Sequence, residues 1–585
     1  MKKIGIQLNK HQPNINARKC RRIMAKDYSS LSKEELIEKI GKLESRKKYG
    51  LIWDEERVRE KFETESENAL PILREVKGKE IIKKDRPDPV NIFIEGDNYH
   101  ALSVLNFTHQ GAVDVIYIDP PYNTGARDWK YNNDYVDESD SFRHSKWISF
   151  MYKRLRLAKQ VLSDDGIICV TIDDYELPRL LLIMEEIFGE ENHLGTAAIR
   201  INPGGRKTKR SLAQQHEYAL FFGKNIETQV AKVIKPIEEK THSYKEDAVG
   251  WYEERNLRKE GQDSLASEDS ARFYPIYFNP KNGAISVSKK YPVTILPIDV
   301  QGQKRIWRRG KEDVDRMFER GDLIYKKTKF GDQIYFKFRG GIEGETPKSF
   351  WDDVRYSASE HGTQTLDRIL GKGGMFQFPK SPHAVMDCIK VCSSRKDAIV
   401  LDFFAGSGTT AQAVLELNKQ DGGKRQFILC TNNEGNIATD VCYPRIKKVI
   451  NGWGKNEGIG ASLKYFKAAF VKKSLNKDDL KIRIANECTE MLCLRQGIFE
   501  EAKETADYRI FKQGNRMMGV YYSLDRTALK TLKKELDKFD GEKVLYCFTL
   551  DPLGLDKNDF IDWNNVDLEP IPQKILDVYE QIYEY

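Results

Sequence analysis

The sequence predicts an α/β protein built on a mostly parallel sheet. Three largely apolar runs, VDVIYI (113–118), GIICVTI (166–172) and AIVLDF (398–403), have the length and composition of strands buried on both faces. Polar turns and helix-like segments follow them, which is the element order of such sheets. With 585 residues and 40% hydrophobic content, the chain is long enough for roughly two to four domains.

The first of these strands ends in Asp119-Pro120-Pro121-Tyr122. Ligands bind at the carboxyl ends of parallel strands, so these residues are expected in a cleft. Proline has no backbone donor, and we expect both proline carbonyls to be free to accept hydrogen bonds. Asp119 and the Pro120 carbonyl can then accept the two hydrogens of an exocyclic amine while Tyr122 stacks on the ring. The alternative is a proline turn that ends a strand and exposes a tyrosine.

A second turn follows the strand at 398–403, in the sequence DFFAGSGTT. Gly406 and Gly408 permit a tight turn and a close approach of the backbone to a ligand, at the start of a helix over Thr409–Leu417. The next predicted strand, FILCTNNE, ends in Glu434, and an acid at that place can hold ribose hydroxyls. The predicted cofactor pocket consists of Asp402, Phe404, Gly406, Gly408, Thr409 and Glu434.

The flanks of the DPPY motif carry further candidates. Upstream, the strand VNIFIE leads to Asp97, which either contacts the adenine side of a cofactor or caps the helix predicted over about Asn98–Phe107. Downstream, a long polar loop holds Trp129, Tyr131 and Tyr135. These aromatic rings either fill the gap left by an extruded base or pack the loop onto its own domain.

Together, NIFIEGDNYHALSVL, DPPYNTG and DFFAGSGTT resemble the DNA amino-methyltransferases of the β class, in which the catalytic motif precedes the cofactor motif. From about Lys48 onward the chain resembles the Mod subunit of type III restriction–modification systems. The segments HSKWISFMYKRLRLAKQVL, DDGIICVTIDDYE and HEYALFF are similar to that family in order and spacing. The family's Phe-x-x-Pro-Lys-Pro pattern is matched imperfectly, because Ser381 follows Lys380 here, and the role of Lys380 stays open.

The resemblance implies a Rossmann-like core in circularly permuted order, with an inserted β-rich recognition domain and a C-terminal α+β domain. It implies methyl transfer from S-adenosylmethionine, and not chemistry with NAD, to N6 of adenine in double-stranded DNA. It also implies a homodimer that joins an ATP-dependent restriction (Res) subunit. An aspartate before Pro-Pro-Tyr favours adenine, and the alternatives are methylation of cytosine N4 or an inactive DNA-binding scaffold. The implied catalytic residues are Asp119, Pro120, Pro121 and Tyr122.

The positive charge of the chain is concentrated in its centre. The net charge is +7, yet the segment from Arg200 to Lys348 alone holds 30 Lys and Arg against 21 Asp and Glu. Such a surplus suits binding to a phosphate backbone, although solubility alone can explain it. The candidates for DNA contact are Arg206, Lys207 and Arg210 in a glycine-rich loop, together with Trp129, Arg308 and Arg309.

Composition and pattern divide the chain into five parts, and the resemblance implies their roles. The predicted parts are a basic tail with an N-terminal helical segment (1–87), a catalytic half (88–223), a target-recognition insert (224–350), a cofactor half (351–470) and a C-terminal interaction domain (471–585).

Other features indicate a cytoplasmic protein without a metal. No apolar run reaches the length of about 18 residues that a membrane helix needs, there is no secretory signal, and the nine cysteines form no CxxC pair. Asp173, Asp174 and Glu176 resemble a metal cluster, but methyl transfer from a sulfonium needs none. We expect them to cap the helix over Leu177–Phe188 instead. His216 is expected to be a hydrogen-bonded structural histidine.

Overall fold

A computed structural model describes most of the chain. The described residues are 32, 33, 53, 60, 68–83, 89–131, 134–137, 139–205, 212–232, 244–267, 269–339, 345–551 and 553–583. The chain divides into two compact units, Met1–Ile52 and Trp53–Tyr585. Only Ser32 and Lys33 are described in the first unit, so most of the predicted basic tail and N-terminal helical segment lies outside the described residues.

The described part of the second unit contains twelve α-helices. Those predicted to begin at Asn98, Leu177 and Thr409 begin at those residues. The helices are α1 (Asn98–Thr108), α2 (Arg143–Val161), α3 (Leu177–Phe188), α4 (Lys311–Glu319), α5 (Gln364–Leu370), α6 (Pro382–Cys392), α7 (Thr409–Asp421), α8 (Tyr443–Asn451), α9 (Lys477–Glu487), α10 (Thr489–Gln496), α11 (Leu529–Asp537) and α12 (Gln573–Tyr583).

The strands of the same unit form six sheets. They are β1 (Ala69–Glu75), β2 (Val90–Glu95), β3 (Val113–Ile118), β4 (Ala126–Tyr131), β5 (Asp134–Asp137), β6 (Leu162–Ile172), β7 (His193–Arg200), β8 (His216–Gly223), β9 (Tyr244–Asp247), β10 (Gly250–Asn256), β11 (Ile276–Phe278), β12 (Ile285–Ser286), β13 (Val293–Ile295), β14 (Leu323–Thr328), β15 (Gly331–Phe338), β16 (Phe350–Trp351), β17 (Ile399–Asp402), β18 (Gln426–Thr431), β19 (Gly452–Trp453), β20 (Asn456–Glu457), β21 (Ser462–Lys472), β22 (Glu500–Glu504), β23 (Tyr508–Gln513), β24 (Arg516–Tyr521), β25 (Glu542–Phe548) and β26 (Asp567–Ile571).

Ten strands form the main sheet, in the order β1-β21-β2-β18-β17-β3-β6-β8-β7-β16. Eight of them share one direction, and β1 and β8 run against their neighbours. Strand β3, which leads into the DPPY motif, pairs in parallel with β17, which leads into the GSG turn. The predicted permuted α/β core is therefore confirmed, because two motifs far apart in sequence follow adjacent strands.

The central strands are buried on both faces, as their composition predicted. Every residue of β2 and β3 is buried, and side chains from α6, α7 and α8 join the sheet in one apolar core. The charged residue within β3, Asp114, accepts hydrogen bonds from the backbone N–H of Ile399 (2.7 Å) and from Arg395 (2.8 Å). Its carboxylate therefore joins β3 to the first residue of β17.

Two other regions carry sheets of their own. Strands β14-β15-β10-β9 and β12-β11-β13 form antiparallel sheets over a core that includes Trp307 and Phe336, so the insert is β-rich as predicted. The C-terminal strands β22-β23-β24-β25-β26 form a five-stranded sheet with a separate apolar core.

Three findings concern the described residues only. None of their helices is long and apolar enough to cross a membrane. No group of three or more His, Cys, Asp or Glu side chains among them is placed to hold a metal ion. The eight cysteines among them are free and buried.

Candidate active site

Neighbouring strands of the main sheet bring the predicted site residues to one edge. Strands β2, β18, β17 and β3 are adjacent and parallel, so their carboxyl ends lie side by side at spacings of about 4.8 Å. Asp97 follows β2, Glu434 lies beyond β18, Asp402 ends β17 and Asp119 follows β3. The catalytic and cofactor candidates therefore share an edge, although the insert separates them in sequence.

Asp119 is held by only one of its two carboxylate oxygens. Its Oδ1 lies 2.8 Å from the Thr171 hydroxyl, 2.8 Å from the Tyr122 hydroxyl and 3.1 Å from Nζ of Lys380. Its Oδ2 has no hydrogen-bond partner among the described residues, and the side chain is 28% exposed. The carboxylate is thus oriented through one oxygen and open at the other.

The two proline carbonyls of the motif differ in their contacts. The Pro121 carbonyl accepts a hydrogen bond of 2.7 Å from the indole N–H of Trp147, a buried residue of α2. The Pro120 carbonyl accepts none from the part of the chain that the structure describes. The expectation that both carbonyls are free is wrong for Pro121, because its carbonyl anchors the motif to α2.

Tyr122 is engaged through its hydroxyl and its ring. The hydroxyl also lies 2.9 Å from Oε2 of Glu217, and its single proton can serve only one carboxylate at a time. Lys380 donates to the same hydroxyl and lies 4.8 Å from the ring centroid. Burial, with the carboxylates of Asp119 and Glu217 beside it, raises the pKa of Tyr122 well above its ordinary value. The phenol therefore stays protonated.

Glu217 and Lys380 form a buried ion pair behind the motif. Glu217, on β8, is 1% exposed and accepts a hydrogen bond from Lys380. Burial raises the pKa of Glu217, although Lys380 favours its ionised form. Burial also opposes the charge on Lys380, but the carboxylates of Asp119 and Glu217 outweigh it and raise the pKa of Lys380. Two carboxylates and one ammonium therefore meet beside Tyr122.

The residue after Lys380 explains the imperfect match to the family pattern. The Ser381 hydroxyl donates to the carbonyl of Arg355 (2.6 Å) and accepts from the backbone N–H of His383 in the first turn of α6. Serine therefore caps α6 where the resembled family has proline, and the loop that carries Lys380 stays anchored.

Three described residues other than glycine have a left-handed backbone, and all three flank this edge of the sheet. They are Asn123 (φ 55°), directly after the motif, Phe378 (φ 56°), two residues before Lys380, and Asn436 (φ 61°), near Glu434. Asparagine tolerates this conformation, whereas phenylalanine rarely adopts it. Such strain concentrates at functional sites, and the ring of Phe378 is in addition 77% exposed.

One of the acidic residues after β6, Glu176, binds the residue that follows the motif, and no side chain caps α3 as predicted. Glu176 is fully buried, and its Oε1 lies 2.5 Å from Nδ2 of Asn123 and 2.5 Å from Nδ1 of His144. No side chain caps the described first turn of α3, and Asp173 accepts from the backbone N–H of Tyr175. The capping prediction is wrong because Glu176 instead fixes Asn123, the residue after the motif.

Asp402 is buried and folds the turn that follows it. Its Oδ1 accepts from the backbone N–H of Phe404 (2.9 Å) and its Oδ2 from the Thr410 hydroxyl (2.5 Å). Burial raises the pKa of Asp402 to about 7, although both hydrogen bonds favour the ionised form. Its carboxylate therefore links the end of β17 to the first turn of α7.

Gly406 and Gly408 are required by their backbone and by their neighbours. Their φ angles are +47° and +79°. A Cβ at Gly406 would lie 3.1 Å from the ring of Phe376, and one at Gly408 would lie 3.0 Å from Sγ of Cys442. The close approach that the glycines permit is therefore observed toward the protein's own side chains.

Arg445 holds this turn from behind. It is fully buried and donates to the hydroxyls of Ser407 (2.9 Å) and Thr409 (2.8 Å) and to the side-chain oxygen of Gln412 (2.8 Å). It pairs with no carboxylate within the described ranges, and burial lowers its pKa to about 10. The start of α7 is thus fixed before any ligand binds.

The other cofactor candidates are accessible at the same edge. Asp97 caps α1 by accepting a 2.8 Å hydrogen bond from a backbone N–H, and its side chain remains 41% exposed. Phe404 is half-buried. Glu434 is exposed and lies in a short 3-10 helix, because β18 ends earlier than predicted, at Thr431. An aromatic ring and two accessible acids are a set that fits the adenine and ribose of S-adenosylmethionine.

The predicted DNA contacts are only partly described. Arg308 and Arg309 are exposed, and neither pairs with a carboxylate among the described residues. Two other basic residues of the insert are neutralised internally, since Arg305 pairs with Asp299 (2.8 Å) and Arg339 with Asp247 (2.6 Å). Arg206, Lys207, Arg210 and the side chain of Trp129 lie outside the described residues.

Comparison with known proteins identifies the family. The model of the N6/N4 DNA methylase family matches residues 113–440, from the first residue of β3 to beyond the GSG turn. The chain belongs to the DNA methylases. The family is dependent on S-adenosylmethionine, so the predicted cofactor of this methylase is confirmed.

The relatives of the methylase include subunits of restriction–modification systems. It is 36% identical over 356 residues to the type II methyltransferase M.KpnI of Klebsiella pneumoniae. That alignment covers 60% of this chain and 82% of M.KpnI. It is 31% identical over 385 residues to the type III EcoPI Mod subunit of Escherichia phage P1, an alignment that covers 60% of this chain and 59% of that subunit. It is 27% identical over 530 residues to the probable type III HindVI Mod subunit of Haemophilus influenzae, an alignment that covers 80% of this chain and 67% of that subunit. The resemblance to Mod subunits is confirmed, although the chain spans only 59% of EcoPI Mod.

Three residues at the site were not predicted as part of it: Thr171, Glu217 and Lys380. Thr171 looks like an ordinary residue of a buried strand. Glu217 does carry a signal, because an acid inside the apolar run HEYALFF must find a partner when that strand is buried. The partner, Lys380, comes from a loop far along the chain, and the sequence gives no means of pairing the two.

Proposed function

We propose that this methylase transfers a methyl group from S-adenosylmethionine to N6 of adenine in a short sequence of double-stranded DNA. The observation that carries the proposal is the open half of Asp119. Its Oδ1 is held by three donors, while its Oδ2 and the neighbouring Pro120 carbonyl accept from no described residue. Two adjacent acceptors suit an exocyclic NH₂ group, which has two hydrogens to donate.

The residues of the motif would act by holding and orienting the amine. Bound S-adenosylmethionine supplies a methyl group activated by its sulfonium. The lone pair of the adenine amine is delocalised into the ring, which makes the nitrogen a poor nucleophile. If Asp119 Oδ2 and the Pro120 carbonyl accept both hydrogens, the nitrogen is biased toward a tetrahedral form with its lone pair aimed at the methyl group. On transfer the nitrogen would gain the methyl group as the S–C bond of the sulfonium breaks, and it would lose one hydrogen, which Asp119 Oδ2 is placed to accept. Neither a metal nor a covalent link to the protein is required.

The target base must leave the DNA stack to reach this edge of the sheet. The hydroxyl of Tyr122 is fixed by Asp119, Glu217 and Lys380, so its ring is held in one orientation before DNA binds. We propose that the extruded base stacks on Tyr122. Cytosine N4 is the second candidate because it presents the same two hydrogens, and the aspartate before Pro-Pro-Tyr is what favours adenine.

Sequence choice is proposed to reside in the insert over 224–350. The pocket at Asp119 accepts one extruded base and cannot read its neighbours, so another surface must reach base edges in a groove. Arg308 and Arg309 are exposed there without a carboxylate partner among the described residues. The glycine-rich loop with Arg206, Lys207 and Arg210 is the second candidate surface.

We further propose that the chain acts as a homodimeric modification subunit in the cytoplasm and joins an ATP-dependent restriction subunit. The support is its similarity to proteins named as type III Mod subunits. The five-stranded C-terminal sheet, which holds no site residue, would supply a docking domain over 471–585. Light scattering at micromolar concentration should give the mass of a dimer, and a monomer would count against this part of the proposal.

Base-resolved sequencing of modified DNA tests the function. The chain is expressed in a host without DNA methylation of its own, beside an Asp119→Ala control. We expect N6-methyladenine in one short sequence with the wild-type chain and none with the control. N4-methylcytosine would replace the proposal by its second candidate, and no modified base at all would favour the scaffold. Exchange of residues 224–350 for those of a relative should change the modified sequence and keep the modified base.

A further inference from the structure

The ion pair behind Asp119 is unusual in its position. Glu217 is 1% exposed and Lys380 is 11% exposed, so both charges have lost nearly all contact with water. Removing two charges from water costs several kcal/mol for each ion, and a well-packed apolar pair is often as stable. A buried pair of this kind, in contact with the proposed catalytic carboxylate, is therefore a functional candidate.

The contacts of Lys380 link three groups of the site. Its Nζ lies 3.1 Å from Oδ1 of Asp119 and donates hydrogen bonds to Glu217 Oε2 and to the Tyr122 hydroxyl. An ammonium has three hydrogens and no acceptor, so these three contacts use its full capacity. Nothing in this arrangement reaches Oδ2 of Asp119, which remains the open oxygen.

We propose that Lys380 and Glu217 are positioning residues for Asp119. Lys380 fixes Oδ1 of Asp119, while Glu217 holds Lys380 in place, so that Oδ2 is presented to the substrate amine as an open acceptor. The inference rests on the proposed function of Asp119 and deepens it. The alternative is a purely structural ion pair, which only joins β8 to the loop before α6.

The charged and titratable groups that face Asp119 come from four elements. Lys380 and Glu217 are the nearest described charges, on the loop before α6 and on β8. Asp402 lies at the end of the neighbouring strand β17, and Tyr117 precedes the motif on β3. Among these groups and Tyr122, only Lys380 is a cation, and it is in direct contact with Asp119.

The proposal predicts opposite effects for the two partners. Lys380→Met removes the cation, so the acid limb of the methyl-transfer rate should move to higher pH by about one unit, the usual effect of an opposite charge at contact distance. Glu217→Gln removes a like charge and keeps Lys380, so the same limb should move to lower pH. Lys380→Arg keeps the charge and should leave the limb near its wild-type position at a reduced rate.

The measurement is the single-turnover rate of methyl transfer from labelled S-adenosylmethionine to plasmid DNA, from about pH 5 to about pH 9, a range that covers carboxylate titration. The matched control is Lys390→Met, which removes a lysine paired with Asp387 (3.0 Å) on α6 and should not move the limb. Cofactor affinity and thermal melting monitor folding. If Lys380→Met does not fold, Lys380→Arg and Glu217→Gln still decide the question.

Two failures of this experiment have different meanings. If the wild-type chain binds S-adenosylmethionine but methylates no DNA, the proposed function fails. If the wild-type chain is active, and Lys380→Met and Glu217→Gln only scale the rate while the acid limb stays in place, the positioning inference is overturned and the pair is structural.

Discussion

Two strand ends lie next to each other at the site, and they are built in opposite ways. The carboxylate at the end of β17 is bound by nearby residues, since Asp402 accepts from the backbone N–H of Phe404, two residues later, and from the Thr410 hydroxyl, eight residues later. The end of β3 is closed by remote segments. Thr171 lies 52 residues after Asp119, and Lys380 lies 258 residues after Tyr122.

The two carboxylates therefore depend on different parts of the structure for their orientation. The Asp402 carboxylate needs only its own loop and the start of α7. The turn around it also has remote partners, since Asn98 donates to the Phe403 carbonyl (3.0 Å) and the Ala405 N–H donates to the Cys430 carbonyl (3.1 Å). The carboxylate at the end of β3 obtains its orientation and its charged neighbours only when β6, β8 and the Lys380 loop are assembled around it. We infer that the Asp402 carboxylate is oriented by local contacts, whereas the Asp119 carboxylate is oriented by the assembled core.

The largest expected effect on methyl transfer and cofactor binding comes from replacing each of the two aspartates, Asp119 and Asp402, by alanine in separate variants. Asp119→Ala should lower the methyl-transfer rate by about 10²–10³-fold, the usual cost of losing one preorganised polar group at a reacting centre. It should leave affinity for S-adenosylmethionine nearly unchanged. Asp402→Ala should do the reverse, weakening cofactor binding and stability first. Calorimetric titration and rate measurements on both variants check the contrast, and near wild-type transfer by Asp119→Ala would refute it.

Much of this architecture follows from the sequence, because the elements that are predicted correctly depend on neighbouring residues. The strands VDVIYI and AIVLDF, the helix starts at Asn98 and Thr409 and the GSG turn depend on residues close together in the chain. The failures have the opposite character. Glu176 was expected to cap the helix beside it, but it binds Asn123, which reaches it only through the fold. The role of Lys380 stays open in the sequence because Ser381 breaks the family pattern, and its observed partner Glu217 is 163 residues away.

A second prediction breaks the local turn without touching a polar group. Gly408→Ala places a Cβ 3.0 Å from Sγ of Cys442 at a φ of +79°. We expect a loss of about 2–4 kcal/mol in the free energy of unfolding, from strain and overpacking together. Gly371→Ala is the matched control, because its φ is +78° and a Cβ there meets nothing within 4 Å. Equal losses in chemical denaturation would show that the contact with Cys442 is unimportant.

A third prediction uses the proton on Asp402. Its pKa is about 7 in the folded protein, against 3.8 without burial. Between these values the folded protein keeps a proton that the unfolded chain has released. The free energy of unfolding should therefore fall by about 1.4 kcal/mol for each pH unit from this residue alone. Asp402→Asn should remove that slope. Parallel stability curves for the variant and the wild type between about pH 4 and about pH 7 would contradict the assignment.

The smallest effect concerns the insert, where charges are either paired or open. Arg308→Ala and Arg309→Ala should each weaken DNA binding several-fold and lower the salt dependence by about one ion, without loss of stability. Arg305→Ala should instead destabilise the insert, because Arg305 pairs with Asp299 and also bonds the Ser264 hydroxyl. Fluorescence anisotropy at several salt concentrations, beside thermal melting, separates the two classes. Equal effects of all three variants on DNA affinity would remove the distinction.

The most direct test of the proposed mechanism is the crystal structure of the protein with S-adenosylhomocysteine and a DNA duplex that carries its recognition sequence. We expect an extruded adenine whose N6 lies within hydrogen-bond distance, about 3 Å, of both Asp119 Oδ2 and the Pro120 carbonyl. Thr171 and Lys380 should remain on Oδ1, as they are before DNA binds. A base amine bound to Oδ1 in place of Lys380, or an extruded cytosine at the same acceptors, would contradict it.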